Sequence, residues 1–178
     1  MDMTKQLEIG TLEEVEKTIH ALALSAEETR KALASLAAEN DGIQFLSEMK
    51  FSEIGKDPLN RNRALNVVEQ VNQTFTYLAS FKAVEYLLKL HPEGAPYVLN
   101  LGTASGSDIE SKNKQYLAAE VFAAVNPTNN NKLTKDIEKV SKAEAKFRFV
   151  FFMCPGIDKG RQQGRPEYPG VEVYSLGQ

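Results

Sequence analysis

The sequence predicts an α/β fold, with a mixed central β-sheet flanked by helices and an N-terminal helical extension. Two observations predict this class. Apolar residues recur at helical spacing in two long stretches, residues 11–40 and 63–90. From residue 95 onward the sequence consists of short β-prone runs separated by turns and one further helix. Hydrophobic residues make up 42% of the 178 residues and charged residues 25%, which is typical of a globular protein with a substantial core.

The chain is expected to form one compact domain of two parts, a helical extension over residues 1–60 and an α/β core over residues 61–178. Thr11 and Glu14 form a capping-box pattern, and apolar residues then recur at helical spacing. Residues 11–40 therefore predict two consecutive helices or one bent helix. We interpret this part as a packing or oligomerisation element rather than as a chemical site.

The elements of the core follow from periodicity and turn residues. The segment 57–60 ends the extension, because a proline disfavours helix at the residue before it. Helices are predicted over about residues 63–90 and 133–144. Residues 155–170 form a predicted loop rich in glycine and proline. The predicted strands are residues 97–101, 108–110, 116–125, 147–153 and 171–176.

The composition restricts the compartment and the partners. Cys154 is the single cysteine, so the chain forms no internal disulfide and has no cysteine cluster for zinc. No apolar run is long enough to span a bilayer, and residues 1–10 lack the pattern of a signal peptide. We therefore expect a cytoplasmic protein without a membrane partner. The net charge of −3 gives no overall attraction to nucleic acid, so DNA binding would need a local basic patch or bound cations.

Several common chemistries lack the residues that they require. The turn at residues 102–106 is rich in glycine but has no lysine to hold a phosphate. His20 and His91 are the two histidines, and one lies in a predicted helix of the extension while the other precedes Pro92, which disfavours a histidine metal cluster and a Ser-His-Asp triad. The sequence therefore argues against a nucleotide-binding loop and against a catalytic triad.

Three carboxylates occupy positions where an ordinary surface acid is not expected. Glu85 shares the apolar face of its predicted helix, Asp108 lies at the mouth of a predicted strand, and Glu120 lies in the middle of an apolar segment. A buried charge must be paired, protonated or bound to something. The structural alternatives are a cap or ion pair for Glu85, a turn for Asp108 and an ion pair for Glu120.

A helix, three strands that carry Asp and then Glu, a helix and a further strand resemble the PD-(D/E)XK nuclease fold, which includes many restriction endonucleases. The matching residues are Glu85, Asp108 in Gly-Ser-Asp-Ile, and Glu120 in Ala-Glu-Val-Phe. The resemblance covers about residues 64–153 and implies a restriction-endonuclease-like core. It also implies that Asp108 and Glu120 bind Mg²⁺, or Mn²⁺ in its place, with Glu85 supporting the metal shell. Hard divalent cations prefer such oxygen ligands.

The family's lysine, two residues after the second acid, is replaced here by Phe122. That lysine would orient the attacking water and stabilise the charge of the transition state, so a working site needs another cation. Lys132 is the first candidate and Lys135 the second, because both open the helix after the third strand. Lys112 is a further alternative. Without a substitute, the site would no longer cleave.

Two groups of basic residues are candidates for DNA binding. Lys139 and Lys142 continue the stripe that Lys132 and Lys135 begin on the predicted helix, where they would contact phosphates. A second group lies in the predicted loop and consists of Lys159, Arg161 and Arg165. A solvated helix face and an ordinary surface loop are the structural alternatives.

The resemblance implies a Mg²⁺-dependent endonuclease that hydrolyses DNA phosphodiester bonds in a restriction or defence role, with DNA as the partner. An alternative is a restriction-endonuclease-like domain without cleavage activity that binds DNA or protein, and Phe122 supports it. A third alternative is an unrelated α/β or α+β domain whose acids are structural. The sequence leaves open the DNA sequence recognised and the oligomeric state, with a homodimer as one alternative.

Overall fold

The structure, a computed structural model, describes residues 6–102, 105–163 and 166–178, and it confirms the α/β class. Within these residues the helices are α1 (Leu12–Glu39), α2 (Gly42–Phe51), α3 (Val67–Leu90) and α4 (Lys132–Ser141). The strands are β1 (Gln6–Ile9), β2 (Gly55–Asp57), β3 (Asn60–Leu65), β4 (Tyr97–Asn100), β5 (Ile109–Ser111), β6 (Leu117–Ala123), β7 (Phe147–Met153), β8 (Gly160–Gln162) and β9 (Val171–Ser175).

The chain divides into two compact units. Unit 1 comprises Met1–Val15 and Ala79–Gln178, and unit 2 comprises Glu16–Leu78. The division falls within α1 and within α3, and not at the boundary near residue 60 that the sequence suggested. The first strand, β1, belongs to unit 1 because it pairs antiparallel with β4.

Unit 1 contains a mixed sheet, which has seven strands within the described residues. Their order is β1-β4-β5-β6-β7-β9-β8. The pairs β4–β5 and β5–β6 are antiparallel, whereas β6–β7 and β7–β9 are parallel. Parallel strands need a crossover connection, and α4 provides it between β6 and β7. The succession of α3, three antiparallel strands, α4 and a parallel strand has the order that the sequence predicted.

The two faces of this sheet are covered by different helices, because successive side chains of a strand point to opposite faces. On one face, the Tyr86 ring of α3 lies 5.5 Å from the Phe151 ring and 4.7 Å from the Tyr174 ring. On the other face, α4 packs through Ile137 and Val140. The sheet residues of that second core are Ala118, Phe122, Val150, Phe152, Cys154, Val171 and Val173.

The start of α1 confirms the predicted capping box. The Glu14 amide donates a hydrogen bond of 3.2 Å to the Thr11 hydroxyl, and the Thr11 amide donates one of 3.0 Å to the Glu14 carboxylate. The helix then continues without a break to Glu39. The sequence of residues 11–40 therefore encodes one helix rather than two.

Unit 2 contains a β-hairpin, formed by β2 and β3, that the sequence did not predict. The buried Gln70 side chain accepts a 3.0 Å hydrogen bond from the Lys56 amide and a 2.7 Å hydrogen bond from the Thr29 hydroxyl. These bonds fix the hairpin to the helices of unit 2. Because the hairpin occupies residues up to Leu65, α3 begins at Val67 instead of residue 63.

Among the described residues, none of the helices combines the length and the apolar character that crossing a bilayer requires.

Candidate functional site

Glu120 is a carboxylate in the interior of unit 1. It lies on β6 opposite Val150 of β7, so its side chain points to the face that α4 covers. Only 1% of the side chain is exposed. One oxygen, Oε1, is buried without a hydrogen-bond partner among the described residues. Burial, together with the negative charge of Asp108, raises the pKa of Glu120 to about 7, so its ionised form is held at a cost in free energy.

Asp108 lies beside Glu120. Ile109 pairs with Ala119 across β5 and β6, so the antiparallel register brings Asp108, one residue earlier, opposite Glu120, one residue later. Directly opposed residues share a face of the sheet. The Asp108 carboxylate also accepts a hydrogen bond of 2.8 Å from the Val121 amide, which fixes its position next to β6.

A lysine of α4 reaches this pair of acids. The Lys139 ammonium lies 2.7 Å from Glu120 Oε2, and about half of the lysine side chain, 51%, is exposed. Burial by itself would lower the pKa of Lys139, but the hydrogen bond to Glu120 and the charges of the nearby acids raise it above its ordinary value. Lys139 is therefore a charged group that touches the buried carboxylate and also contacts solvent.

A third acid, Asp136, lies one helical turn before Lys139 on α4, and Lys132 lies one turn before Asp136. The Asp136 side chain is buried, and its Oδ1 lies 2.7 Å from the Lys132 ammonium. Its other oxygen, Oδ2, is buried without a partner among the described residues. Burial raises the pKa of Asp136, and the charge of Asp108 acts in the same direction. The Lys132 ammonium also lies 5.8 Å from the centroid of the Phe122 ring, a distance at which a cation and an aromatic face attract.

A groove of ≈ 400 Å³ opens beside these residues. Its walls include Ser107, which precedes Asp108, and Ala118, which shares a sheet face with Glu120. Lys139 lines both the groove and the acid cluster. A ligand in the groove would therefore reach the Glu120–Lys139 pair through Lys139, since Glu120 itself is buried and does not line the groove.

The structure brings Asp108, Glu120, Lys132 and Lys139 together, but it does not bring Glu85 to them. Glu85 lies on α3, which packs on the opposite face of the sheet, and it pairs with Lys89 at 2.5 Å. Its position on the apolar side of the helix is explained by an ion pair at the rim. The structure therefore places Glu85 apart from Asp108 and Glu120.

The remaining predicted basic residues lie outside the cluster. Lys135 is exposed on α4, and Lys142 pairs with Glu138 at 2.8 Å on the rim of the groove. Arg161 lies on the edge strand β8 opposite Tyr174, so it shares the face that α3 covers, and it pairs with Glu172 at 3.5 Å. Lys159 precedes β8 and is exposed. Arg165 lies outside the described residues.

Asp136 is a member of the cluster that the sequence analysis did not select. The signal was present in its spacing, because Asp136 lies three residues after Leu133 and four before Val140, and both of these residues belong to the packed face of α4. The four lysines of this region, which give the more visible pattern, conceal an acid on the apolar face of the helix.

The donors at Asp108 and Glu120 suit a small divalent cation. Among the described residues, no three side chains of the metal-binding types Asp, Glu, His and Cys are grouped to hold a metal ion. Mg²⁺ needs no such group, since it commonly binds one or two carboxylates and completes its shell with water and substrate oxygens. Glu120 Oε1 is buried without a hydrogen-bond partner among the described residues, so it is the Glu120 oxygen whose acceptor capacity is unused.

Comparison with known proteins gave no match: no family model, no curated protein and no solved structure matches the chain.

Proposed function

We propose that the protein is a Mg²⁺-dependent endonuclease that hydrolyses DNA phosphodiester bonds, with a core of the PD-(D/E)XK type. The observation that carries the proposal is the group formed by Glu120, Asp108 and Lys139. A buried carboxylate faces a second acid across two antiparallel strands, and an ammonium group lies 2.7 Å from it. The order of elements around the group, from α3 to β7, is the second support.

Each residue has a distinct role in this proposal. Asp108 and Glu120 hold the cation, which when bound polarises the scissile phosphate and lowers the pKa of the attacking water. Lys139 stabilises the negative charge that develops on the phosphate oxygens, because a fixed cation near the reacting group favours the transition state over the ground state. Its position on a helix instead of on β6 allows Phe122 to remain in the apolar core.

The proposed assignment of the lysine differs from the one drawn from the sequence. Lys132 was the first candidate, but its ammonium is engaged by Asp136 and lies over Phe122. Lys135 is exposed and lies outside the cluster. Lys139, first interpreted as a phosphate contact, touches Glu120 itself. We therefore assign the catalytic cation to Lys139 and a supporting role to Lys132.

Phe122 favours a second function, a DNA- or protein-binding module without cleavage. The ring is buried and lies 5.8 Å from the Phe152 ring, so this position contributes to packing and carries no charge. In this alternative, Lys139 serves only to neutralise Glu120. The protein would then bind its partner with or without a divalent cation.

Cleavage of supercoiled plasmid DNA in the presence of Mg²⁺ or Mn²⁺ tests the proposal. We expect nicked and linear products from the wild-type protein and a loss of rate of at least about 100-fold for Asp108→Asn and for Lys139→Met. Glu138→Gln and Lys135→Met are matched controls, since both residues are exposed on α4, and their rates should stay within about twofold of wild type.

Two outcomes would contradict the endonuclease proposal. If the wild-type protein binds DNA but never cuts it at any divalent cation concentration, the binding module is the better description. If the site variants and the controls lose activity equally, the cleavage does not depend on the Glu120 cluster.

A further inference from the structure

The volume of the groove beside Glu120 limits the size of the ligand that it can hold. Its volume is ≈ 400 Å³, within the range of about 300–1,000 Å³ that is usual for small-ligand sites. A space of this volume holds a small ligand and not a section of DNA duplex. One nucleotide released from base stacking is an occupant of suitable size.

The charges that line the groove come from two elements. Lys114 follows β5, and its side chain is 78% exposed. Lys139 of α4 and Lys142, which directly follows this helix, also line the groove. Three ammonium groups around one groove attract phosphate oxygens, even in a chain whose net charge is −3. Each of them is also paired with a carboxylate, so a phosphate would share these lysines with the acids. The phosphate that lies nearest to Lys139 would also be the one nearest to Glu120.

Acidic and amide side chains also line the groove. Glu110 and Glu144 contribute carboxylates, and Gln115 contributes an amide. The Glu110 carboxylate already has two partners, because it accepts a 3.1 Å hydrogen bond from the Ser107 amide and lies 3.5 Å from Lys114. Carboxylates repel phosphates but accept hydrogen bonds from the amino groups of bases. A groove with both kinds of group suits a whole nucleotide, phosphate and base, better than a phosphate alone.

We propose that this groove binds one unstacked nucleotide of a single DNA strand, next to the bond that is cleaved, and that the preferred substrate is therefore unpaired DNA. The inference rests on the proposed endonuclease function and adds the substrate class to it. Lys114 and Lys142 contact the flanking phosphates, and Gln115 and Glu144 contact the base. In double-stranded DNA the base edges are paired and stacked, so a nucleotide must first be unpaired at a cost in free energy.

Equilibrium binding in EDTA, where no divalent cation supports cleavage, tests the groove separately from catalysis. The probes are a fluorescein-labelled 20-nucleotide single strand and the same strand in a duplex. The test variant is Lys114→Ala/Lys142→Ala. The matched control is Lys112→Ala/Lys135→Ala, which removes the same charge from the segment after β5 and from α4, at positions that do not line the groove.

We expect the wild-type protein to bind the single strand at least tenfold more tightly than the duplex. The groove variant should weaken single-strand binding at least tenfold and flatten its salt dependence by about 1.4 log units per log unit of salt, for two lost phosphate contacts. The control variant should weaken it by no more than about threefold, through general charge loss. Thermal melting of both variants at the wild-type temperature establishes that they are folded.

The experimental outcomes distinguish a failure of this inference from a failure of the proposed function. Equal weakening in both double variants, or equal affinity for duplex and single strand, overturns the groove assignment. If plasmid cleavage that depends on Asp108 persists in that case, the endonuclease function stands without the groove. If the wild-type protein neither binds nor cleaves any DNA, both proposals fail.

Discussion

At the scale of single residues, Glu120 is the position where folding stability and the proposed chemistry favour the most different side chains. Removing a carboxylate from water costs several kcal/mol unless partners compensate it, and Glu120 has one lysine for two oxygens. A core residue of similar volume would make the fold more stable. A buried acid with a free oxygen is instead the arrangement that a cation site requires, which is why perturbed carboxylates concentrate at functional sites.

The raised pKa of Glu120 predicts how its substitution changes stability with pH. Its pKa is about 7 in the folded protein and 4.5 as the ordinary value, so the folded state favours the protonated form. The stability from protonated Glu120 is full below about pH 4.5 and is lost as the pH rises through about 7. Glu120→Gln mimics the protonated acid and should be more stable than wild type at pH 8 by about 1–3 kcal/mol.

Urea denaturation at pH 5 and pH 8 measures this difference without added metal. The advantage of Glu120→Gln should fall to about a quarter of its pH 8 value at pH 5, where Glu120 is protonated in the folded protein but largely ionised in the unfolded chain. Glu138→Gln, on the surface of the same unit, should show no such pH dependence. An advantage that is as large at pH 5 as at pH 8 would contradict the raised pKa.

At the scale of elements, α4 organises the cluster. Lys132, Asp136 and Lys139 follow one another at intervals of four and three residues, which places them on one side of a helix. Ile137 and Val140 of the same helix pack into the core. The packing that holds α4 against the sheet therefore also fixes the two lysines relative to Glu120 and Asp108.

The start of α4 predicts a sharp dependence on residue type. Asn130 and Asn131 have φ values of 54° and 55°, a left-handed conformation that asparagine tolerates and β-branched residues do not. Asn131→Val should lower the free energy of unfolding by about 1–2 kcal/mol, whereas Asn131→Gly should change it by less than about 0.5 kcal/mol, since glycine adopts positive φ freely. Urea denaturation of the two variants tests this, and equal losses would contradict the assigned conformation.

The elements that the sequence predicted are those with a strong local signal. The apolar runs of β6 and β7 and the periodicity of α1 and α3 are visible within each segment. β8 has the sequence Gly-Arg-Gln and becomes a strand only because β9 pairs with it. The hairpin of β2 and β3 depends likewise on Gln70, which lies outside it. Such tertiary contacts leave no periodic pattern in the strands themselves.

The sequence predicts those residues of the site whose burial can be recognised from their apolar neighbours. Asp108 and Glu120 were selected because a charge interrupts or borders an apolar run, and sheet register then explains why they lie opposite each other. The spacing of the four lysines predicts that they share one stripe of the helix. It does not predict how α4 is oriented on the sheet. The contact of Lys139 with Glu120 depends on that orientation, so only the structure distinguishes Lys139 from Lys132.

At the scale of the whole molecule, cation binding and folding stability are linked. A ligand that binds only the folded state stabilises it by about 2.7 kcal/mol at a concentration of 100 Kd. Binding at Glu120 requires the ionised carboxylate, so Mg²⁺ affinity should rise as the pH increases through about 7. The increase in Tm caused by 10 mM Mg²⁺ should therefore be larger at pH 8 than at pH 6.

Differential scanning fluorimetry with and without Mg²⁺ measures this increase. Asp108→Asn removes a proposed ligand and should abolish it at both pH values. Glu85→Gln should leave it unchanged, because Glu85 lies on the other side of the sheet. A wild-type Tm that does not respond to Mg²⁺ or Mn²⁺ at pH 8 would argue against a cation site in this cluster.

The pairing of β1 with β4 also governs the order in which the nascent chain acquires structure. The side chains of Gln6 and Asn100 are joined by a 2.8 Å hydrogen bond although they are 94 positions apart in sequence. Contacts of such separation form late, since closing a long loop costs entropy before any contact repays it. Every residue of unit 2 is synthesised before β4. We therefore expect β1 to remain without its partner strand until β4 has been made, and the sheet to assemble from β4, β5 and β6, whose partners are close neighbours along the chain.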